Sequence, residues 1–166
     1  SMKVLVAGAS GTIGRAVAWA LTEAGHDVVA LLRPGSKADI PASADILHSD
    51  LAALDANDFK MRGVTHIVSC ITSRTGASED AWAVDHAGNL ALLRAAESAG
   101  VGHFMLLSAI CVQKPDLAFQ HAKLAFETEL IASDIRSTIV RPTAFFKSLS
   151  GQVARVQTGK PFLVFG

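Results

Sequence analysis

The segment Gly8-Ala9-Ser10-Gly11-Thr12-Ile13-Gly14 has the residue types and the spacing to hold a pair of linked phosphates. It follows the apolar run 3–7 and opens a stretch of helical periodicity, the strand-loop-helix setting in which a G-x-x-G-x-x-G loop is informative. In that setting Gly8 permits the tight turn, Gly11 lets a pyrophosphate approach the backbone, and Gly14 lets the helix pack closely on the sheet. Backbone N–H groups of Ser10, Gly11, Thr12 and Ile13 then face the phosphates at the positive end of the helix. The competing reading is a strand-to-helix turn with no ligand. A dinucleotide cofactor is the expectation.

Which dinucleotide depends on the end of the second strand, where an NAD-selective site carries an Asp or Glu for the ribose hydroxyls. Arg33 stands there instead, which favours NADP(H). With Ser36 and Lys37 close by, its guanidinium suits a forked contact to the 2′-phosphate. An exposed loop arginine that is merely solvated is the other reading. Cofactors lie across the carboxyl ends of the strands, so Asp50 and Leu51, ending strand three, border the adenine, and Cys70, Ile71 and Thr72, ending strand four, border the ribose and diphosphate. Asp50 also has the position of a plain helix N-cap. Cys70, Ile71 and Thr72 are placed by backbone, since their residue types alone indicate nothing.

Ser108 ends strand five and Lys123 lies on the next helix, an arrangement that resembles the short-chain dehydrogenases. In those enzymes a Tyr four residues before the Lys is the general acid, and the Lys lowers its pKa and orients the ribose. Phe119 holds that position here, and the chain contains no tyrosine. Carbonyl–alcohol chemistry by the Ser-Tyr-Lys route is therefore not expected. Lys123 remains the candidate catalytic residue through the nicotinamide-ribose hydroxyls; a solvated lysine paired with Glu127 at i,i+4 is the alternative. The six histidines lack ligand spacing, so no metal is expected, and His121 reads as surface.

The elements that must position these residues alternate between short apolar β-branched runs and helical segments. Strands are expected over 3–7, 27–32, 45–48, 65–70, 103–107 and 137–140. Helices are expected over 12–24, closed by Gly25, over 51–59, over 79–99, closed by Gly100, over 117–133, and over 146–158 after the break at Pro142. This is an α/β chain, a Rossmann-type doubly wound parallel sheet with helices on both faces, in one domain over residues 1–166. Fifteen basic residues balance fifteen acidic ones with no basic cluster, which argues against nucleic acid and anionic membranes and for a small-molecule partner. No apolar run approaches the roughly 20 residues that span a bilayer. Cys70 and Cys111 read as reduced thiols in apolar surroundings, Ser1 as a remnant of proteolytic processing before Met2, and the absence of a leader as a sign of a cytoplasmic protein.

Longer strings narrow the resemblance. The glycine loop, Arg33 and the Ser108/Lys123 pair are similar to the atypical short-chain dehydrogenases with an NmrA-like NAD(P)-binding domain. Residues 107–115 (LSAICVQKP), 122–127 (AKLAFE), 141–149 (RPTAFFKSL) and 159–162 (GKPF) resemble the divinyl chlorophyllide 8-vinyl reductase family. That family also has Phe where Phe119 stands. The resemblance implies NADPH-dependent reduction of a vinyl group to ethyl on a chlorophyllide-type macrocycle, with hydride passing to the terminal vinyl carbon and a proton following. It implies that Ser108, Lys123, Pro142, Thr143, Ala144 and Phe145 hold the nicotinamide, and that Phe145 and Phe146 border the macrocycle, unless they are plain core packing. The family's chains continue for a further domain-sized segment that completes the substrate pocket. The apolar end 162–165 is accordingly expected to promote self-association. Two other functions fit the residues: a redox sensor that binds NADP(H) without turnover, and a reductase or epimerase acting on another substrate.

Overall fold

Strands that are apolar on both sides need a helical layer on each face, and the central strands among the described residues, such as 4–7 and 28–32, have that composition. The computed structural model describes residues 1–73, 77–107 and 117–140, with side chains in the last stretch from Gln120 onward. Strands β1 (Lys3–Ala7), β2 (Asp27–Leu32), β3 (Asp45–His48), β4 (His66–Ser69), β5 (His103–Leu107) and β6 (Arg136–Val140) pair in parallel in the order β3-β2-β1-β4-β5-β6. The period of two along each strand divides the core. Leu5, Ala7, Val29 and Leu31 face one layer, while Val4, Val6, Val28 and Ala30 face the other. Helix α1 (Thr12–Glu23) covers the second face through Val17, Ala18 and Leu21. On the first face lie α2 (Ala56–Lys60), α4 (Asn89–Ala99) and α5 (Leu117–Ala132), which contribute Phe59, Leu92, Leu93, Phe126 and Leu130. The doubly wound sheet expected from the sequence is therefore present, with its strand order reversing between β1 and β4.

Phe104 of β5 is fully buried, its ring 5.9 Å from that of Phe126 in α5 and tilted against it. Truncation there removes the largest side chain between sheet and helix. Phe104→Ala is expected to cost about 3–5 kcal/mol of stability, read from the shift of a urea unfolding midpoint.

Two helices depart from the sequence expectation. The helix expected over 51–59 divides into a 3₁₀ turn (Leu51–Ala53) and α2, because Asp55 builds a fresh capping box. Its carboxylate accepts the Asn57 N–H at 2.8 Å, and the Asp58 side chain accepts the Asp55 N–H at 3.1 Å. The long helix expected over 79–99 is α3 (Ser78–Ala81), a π-helical segment (Trp82–Gly88) and then α4. At the end of the π segment the Asn89 N–H bonds to the His86 carbonyl, and the Asn89 side-chain amide takes the Asp85 carbonyl at 3.0 Å. The wider turn leaves Asp85, Gly88 and Asn89 all buried. No helix among the described residues is long and apolar enough to cross a membrane.

Candidate functional site

The three glycines of the loop after β1 have different physical reasons to be glycine. Gly8 has φ +75°, and a Cβ there would lie 2.7 Å from the Cys70 carbonyl oxygen of the neighbouring strand end. A Cβ on Gly14 would lie 2.0 Å from the Gly8 carbonyl oxygen. Both are demanded by the fold before any ligand is considered. Gly11 is not: its φ is −77°, and an added Cβ would sit 3.5 Å from the Gly8 oxygen, an ordinary contact. Gly11 caps α1 without a side-chain bond, and the first turn of α1 has no acidic residue. Its leading N–H groups, which no helix can satisfy internally, are therefore open to an anion.

These groups front a cleft of about 560 Å³. One wall is Gly8, Ser10 and Gly11; the ends of β2 and β3 contribute Arg33 and Leu51; and Cys70, Ile71 and Thr72 close it from the end of β4. The residues placed there by backbone reasoning thus come together. Leu31, Leu32, Ser49, Asp80 and Val84 also line the cleft and carry no signal in the sequence for doing so. Thr12, Ile13 and Gly14 do not form its wall. Thr12 is exposed, Ile13 packs against the core beneath α1, and Gly14 is buried, so what this turn can offer a phosphate is backbone N–H.

A second hollow of about 400 Å³ adjoins the cleft at Arg33 and is lined by Pro34, Gly35, Ser36 and Asp50. Its shape follows from a four-residue turn. Pro34 suits the second position, Gly35 takes φ +75° in the third, and the Ser36 N–H returns to the Arg33 carbonyl at 3.0 Å. Arg33 and Ser36 are thereby brought to one hollow, and the guanidinium has no carboxylate partner among the described residues. Asp50 stands at the N-cap position of the 3₁₀ turn, where its carbonyl accepts the Ala53 N–H at 3.1 Å, but its carboxylate makes no capping bond.

Cys70 is a free, half-buried thiol on the cleft wall, and burial pushes it up to about 12. A thiol raised in this way favours its protonated form, which argues against a nucleophilic role. Beneath that wall runs a buried polar chain that sequence reasoning missed. The Ser69 hydroxyl donates to Asn89 Oδ1, Asn89 is bonded to the Asp85 carbonyl, and the Asp85 carboxylate accepts the Ser73 N–H at 3.2 Å. The available signal was an Asp and an Asn, four residues apart, inside an otherwise apolar helical stripe. Burial raises the Asp85 carboxyl above its ordinary value, while hydrogen bonding to Ser73 and the charge of Lys123 oppose that shift.

Lys123 is half-buried on α5 and Glu127, one turn on, is 5% exposed. His121 is exposed, as expected, and the described residues hold no group of three or more His, Cys, Asp or Glu able to bind a metal. Ser108, Cys111, Pro142, Thr143, Ala144, Phe145 and Phe146 lie outside the described residues, as do the Phe119 side chain and the apolar end 162–165 on which self-association was expected.

A family model described as NAD(P)H-binding matches residues 8–164. The chain is 48% identical, over 98% of its length, to divinyl chlorophyllide a 8-vinyl-reductase, chloroplastic, of Zea mays, of which it covers 45%. It is 30% identical, over 92% of its length, to a photosystem II assembly factor of Trieres chinensis, of which it covers 49%. Among solved structures, the UDP-glucose 4-epimerase of Thermotoga maritima aligns with a TM-score of 0.68 at 18% identity, over 99% of this chain and 66% of that one, a likeness of fold. The chain thus spans less than half the length of the reductase it matches. The expected cytoplasmic location is corrected by the same finding, since the Zea mays relative is named as chloroplastic.

Proposed function

The chain belongs to the NAD(P)H-binding family, and from that premise we propose that it forms the cofactor-binding part of an NADPH-dependent reductase that converts the 8-vinyl group of divinyl chlorophyllide to ethyl. The observation that carries this reading is the 48% identity to the Zea mays reductase along 98% of the chain. NADP in preference to NAD is supported by Arg33 and Ser36, which share the hollow beside the main cleft. Bound NADPH supplies the hydride that, with a proton, saturates the vinyl C=C bond. The chain's own groups bind and orient. The N–H groups of Ser10, Thr12 and Ile13 hold the pyrophosphate, the Gly11 N–H being spent on the Gly8 carbonyl at 3.1 Å; Asp50 and Leu51 border the adenine, and Cys70, Ile71 and Thr72 pack beside the ribose and diphosphate. Ser108, Lys123, Pro142, Thr143, Ala144 and Phe145 hold the nicotinamide and its ribose. Delocalisation of charge over the macrocycle lessens the need for a strong positioned acid, which accords with a chain that has no tyrosine.

Anaerobic incubation with NADPH and divinyl chlorophyllide, read by mass spectrometry for a product heavier by one hydride and one proton, tests the proposal. Because the match covers 45% of the Zea mays protein, the assay is run on this chain and on a version extended with the C-terminal remainder of that relative. Product from the extended version is the expected result, and no product from it refutes the assignment. One alternative is an NADP(H)-binding redox sensor without turnover. NADPH binding with no product from either version would select that alternative.

A further inference from the structure

Arg33 and Ser36 sit on the connection 33–44, which holds neither strand nor helix, so the place of their side chains depends on what pins the turn that carries them. The sheet ladder stops short of that turn. The Ser49 N–H bonds to the Leu32 carbonyl at 3.0 Å, and Pro34 has no N–H with which to continue the pairing. One residue beyond the ladder a side chain takes over. His48 ends β3 opposite Leu32, and its Nδ1 lies 3.2 Å from the Arg33 carbonyl oxygen. A carbonyl only accepts, so the proton of this bond is carried by Nδ1 and a neutral ring keeps its acceptor at Nε2. The same oxygen accepts the Ser36 N–H at 3.0 Å, the bond that closes the Arg33-Pro34-Gly35-Ser36 turn. Both lone pairs of one oxygen are thereby used: one closes the turn, and the other fastens it to β3. Farther along, the Trp19 Nε1–H donates to the Asp39 carbonyl at 3.1 Å and pins the second half of the connection to α1.

Fastening matters because of what shares the hollow. Asp50 lines it together with Arg33 and Ser36, so an anion there is drawn by the guanidinium and repelled by the carboxylate. A drift of the turn alters that balance. The arginine fork meets a phosphate with two hydrogen bonds only when the backbone that carries it is held. His48 is outside the lining and acts through the Arg33 carbonyl. We propose that His48 is a positioning residue for cofactor choice: its bond sets the Arg33–Ser36 turn where guanidinium and hydroxyl meet a ribose 2′-phosphate, and it leaves the rest of the dinucleotide site untouched. The proposal rests on the reading of Arg33 given above.

The test compares NADPH with NADH, which differ only in the 2′-phosphate, by fluorescence titration of this chain. His48→Leu removes the donor. Because His48 is exposed and its bond competes with water, the variant is expected to weaken NADPH binding about fivefold and NADH binding by less than about twofold. His48→Asn keeps an N–H on Cγ, where Nδ1 stood, and should bind NADPH within about twofold of the wild type. Adding His48→Leu to Arg33→Ala should cost less than about a further twofold, because the residue through which His48 acts has already gone. Unchanged NADPH affinity in His48→Leu, no rescue by asparagine, losses that multiply in the double variant, or equal losses of both cofactors would each overturn the proposal, the last by marking a merely structural bond. If Arg33→Ala leaves the ratio of NADPH to NADH affinity unchanged, the reading of Arg33 falls and this inference with it. If that ratio collapses in Arg33→Ala and holds in His48→Leu, the inference falls alone.

Should His48→Leu fail to fold, the wild-type chain supplies the check. The nitrogen NMR shifts of the His48 ring, read where the imidazole is neutral, should mark the tautomer protonated at Nδ1, the one that donates to the Arg33 carbonyl. A ring protonated at Nε2 instead would leave that carbonyl without its bond to β3 and would overturn the proposal.

Discussion

Arg33→Glu is expected to weaken NADPH binding by about tenfold or more while leaving NADH binding near its wild-type level. Arg33 is exposed at the junction of the two hollows, and the Pro34-Gly35 turn returns Ser36 to the same place. A guanidinium there meets a 2′-phosphate with charge-assisted, forked hydrogen bonds worth about 1.5–3 kcal/mol, which is more than a tenfold change in affinity. Glutamate reverses the sign of the interaction with the phosphate and can accept from an unphosphorylated ribose, so the two cofactors should part. Parallel fluorescence titrations at one low ionic strength read the difference, because screening would shrink an exposed electrostatic effect. Equal losses for both cofactors would mean that Arg33 is an ordinary solvated charge and that the assignment to NADP fails.

The second large effect separates two glycines of one loop. Gly14→Ala places a methyl group 2.0 Å from the Gly8 carbonyl oxygen and 2.7 Å from its carbonyl carbon. Both are backbone atoms that cannot swing aside, so α1 has to lift from the sheet and loosen the packing of Val17, Ala18 and Leu21. A loss of about 4 kcal/mol or more is expected, a large part of the ~5–15 kcal/mol that stabilises a typical domain. Gly11→Ala should melt close to the wild type, since its φ of −77° suits alanine and its new methyl meets only an ordinary contact at 3.5 Å. Yet it should weaken NADPH binding, because that methyl stands where the pyrophosphate must approach the backbone. Thermal unfolding of both variants, with an NADPH titration of Gly11→Ala, checks the pair. Wild-type affinity in Gly11→Ala would deny the loop its phosphate contact, and a wild-type melting temperature in Gly14→Ala would contradict the packing at Gly8.

Much of this site was legible in the sequence because its signals are local. Glycine spacing after a five-residue strand places the loop. The string Arg33-Pro34-Gly35-Ser36 encodes its own turn, and the strand ends at Asp50 and Cys70 follow from counting βα units. The cleft gathers these residues because parallel strands of matched length end at one edge of the sheet. The cytoplasmic location expected from the first residues is overturned by the chloroplastic relative, because chain ends carry no information about fold or site.

By itself, then, the sequence determined the doubly wound sheet, the glycine loop after its first strand and the charge of Arg33 at the end of its second, since each depends on periodicity or on residues a few positions apart. Only the tertiary structure decided which glycines serve the fold and which is left for a ligand, because the Cys70 carbonyl that crowds Gly8 arrives on a different strand. It also decided that the helix after β4 widens into a π turn, that Gly88 admits Leu51, and that Asp85 and Asn89 are buried together behind the end of β4. Those relations join residues on separate elements. Burial and close approach between elements come from packing, which no local pattern of residue types encodes.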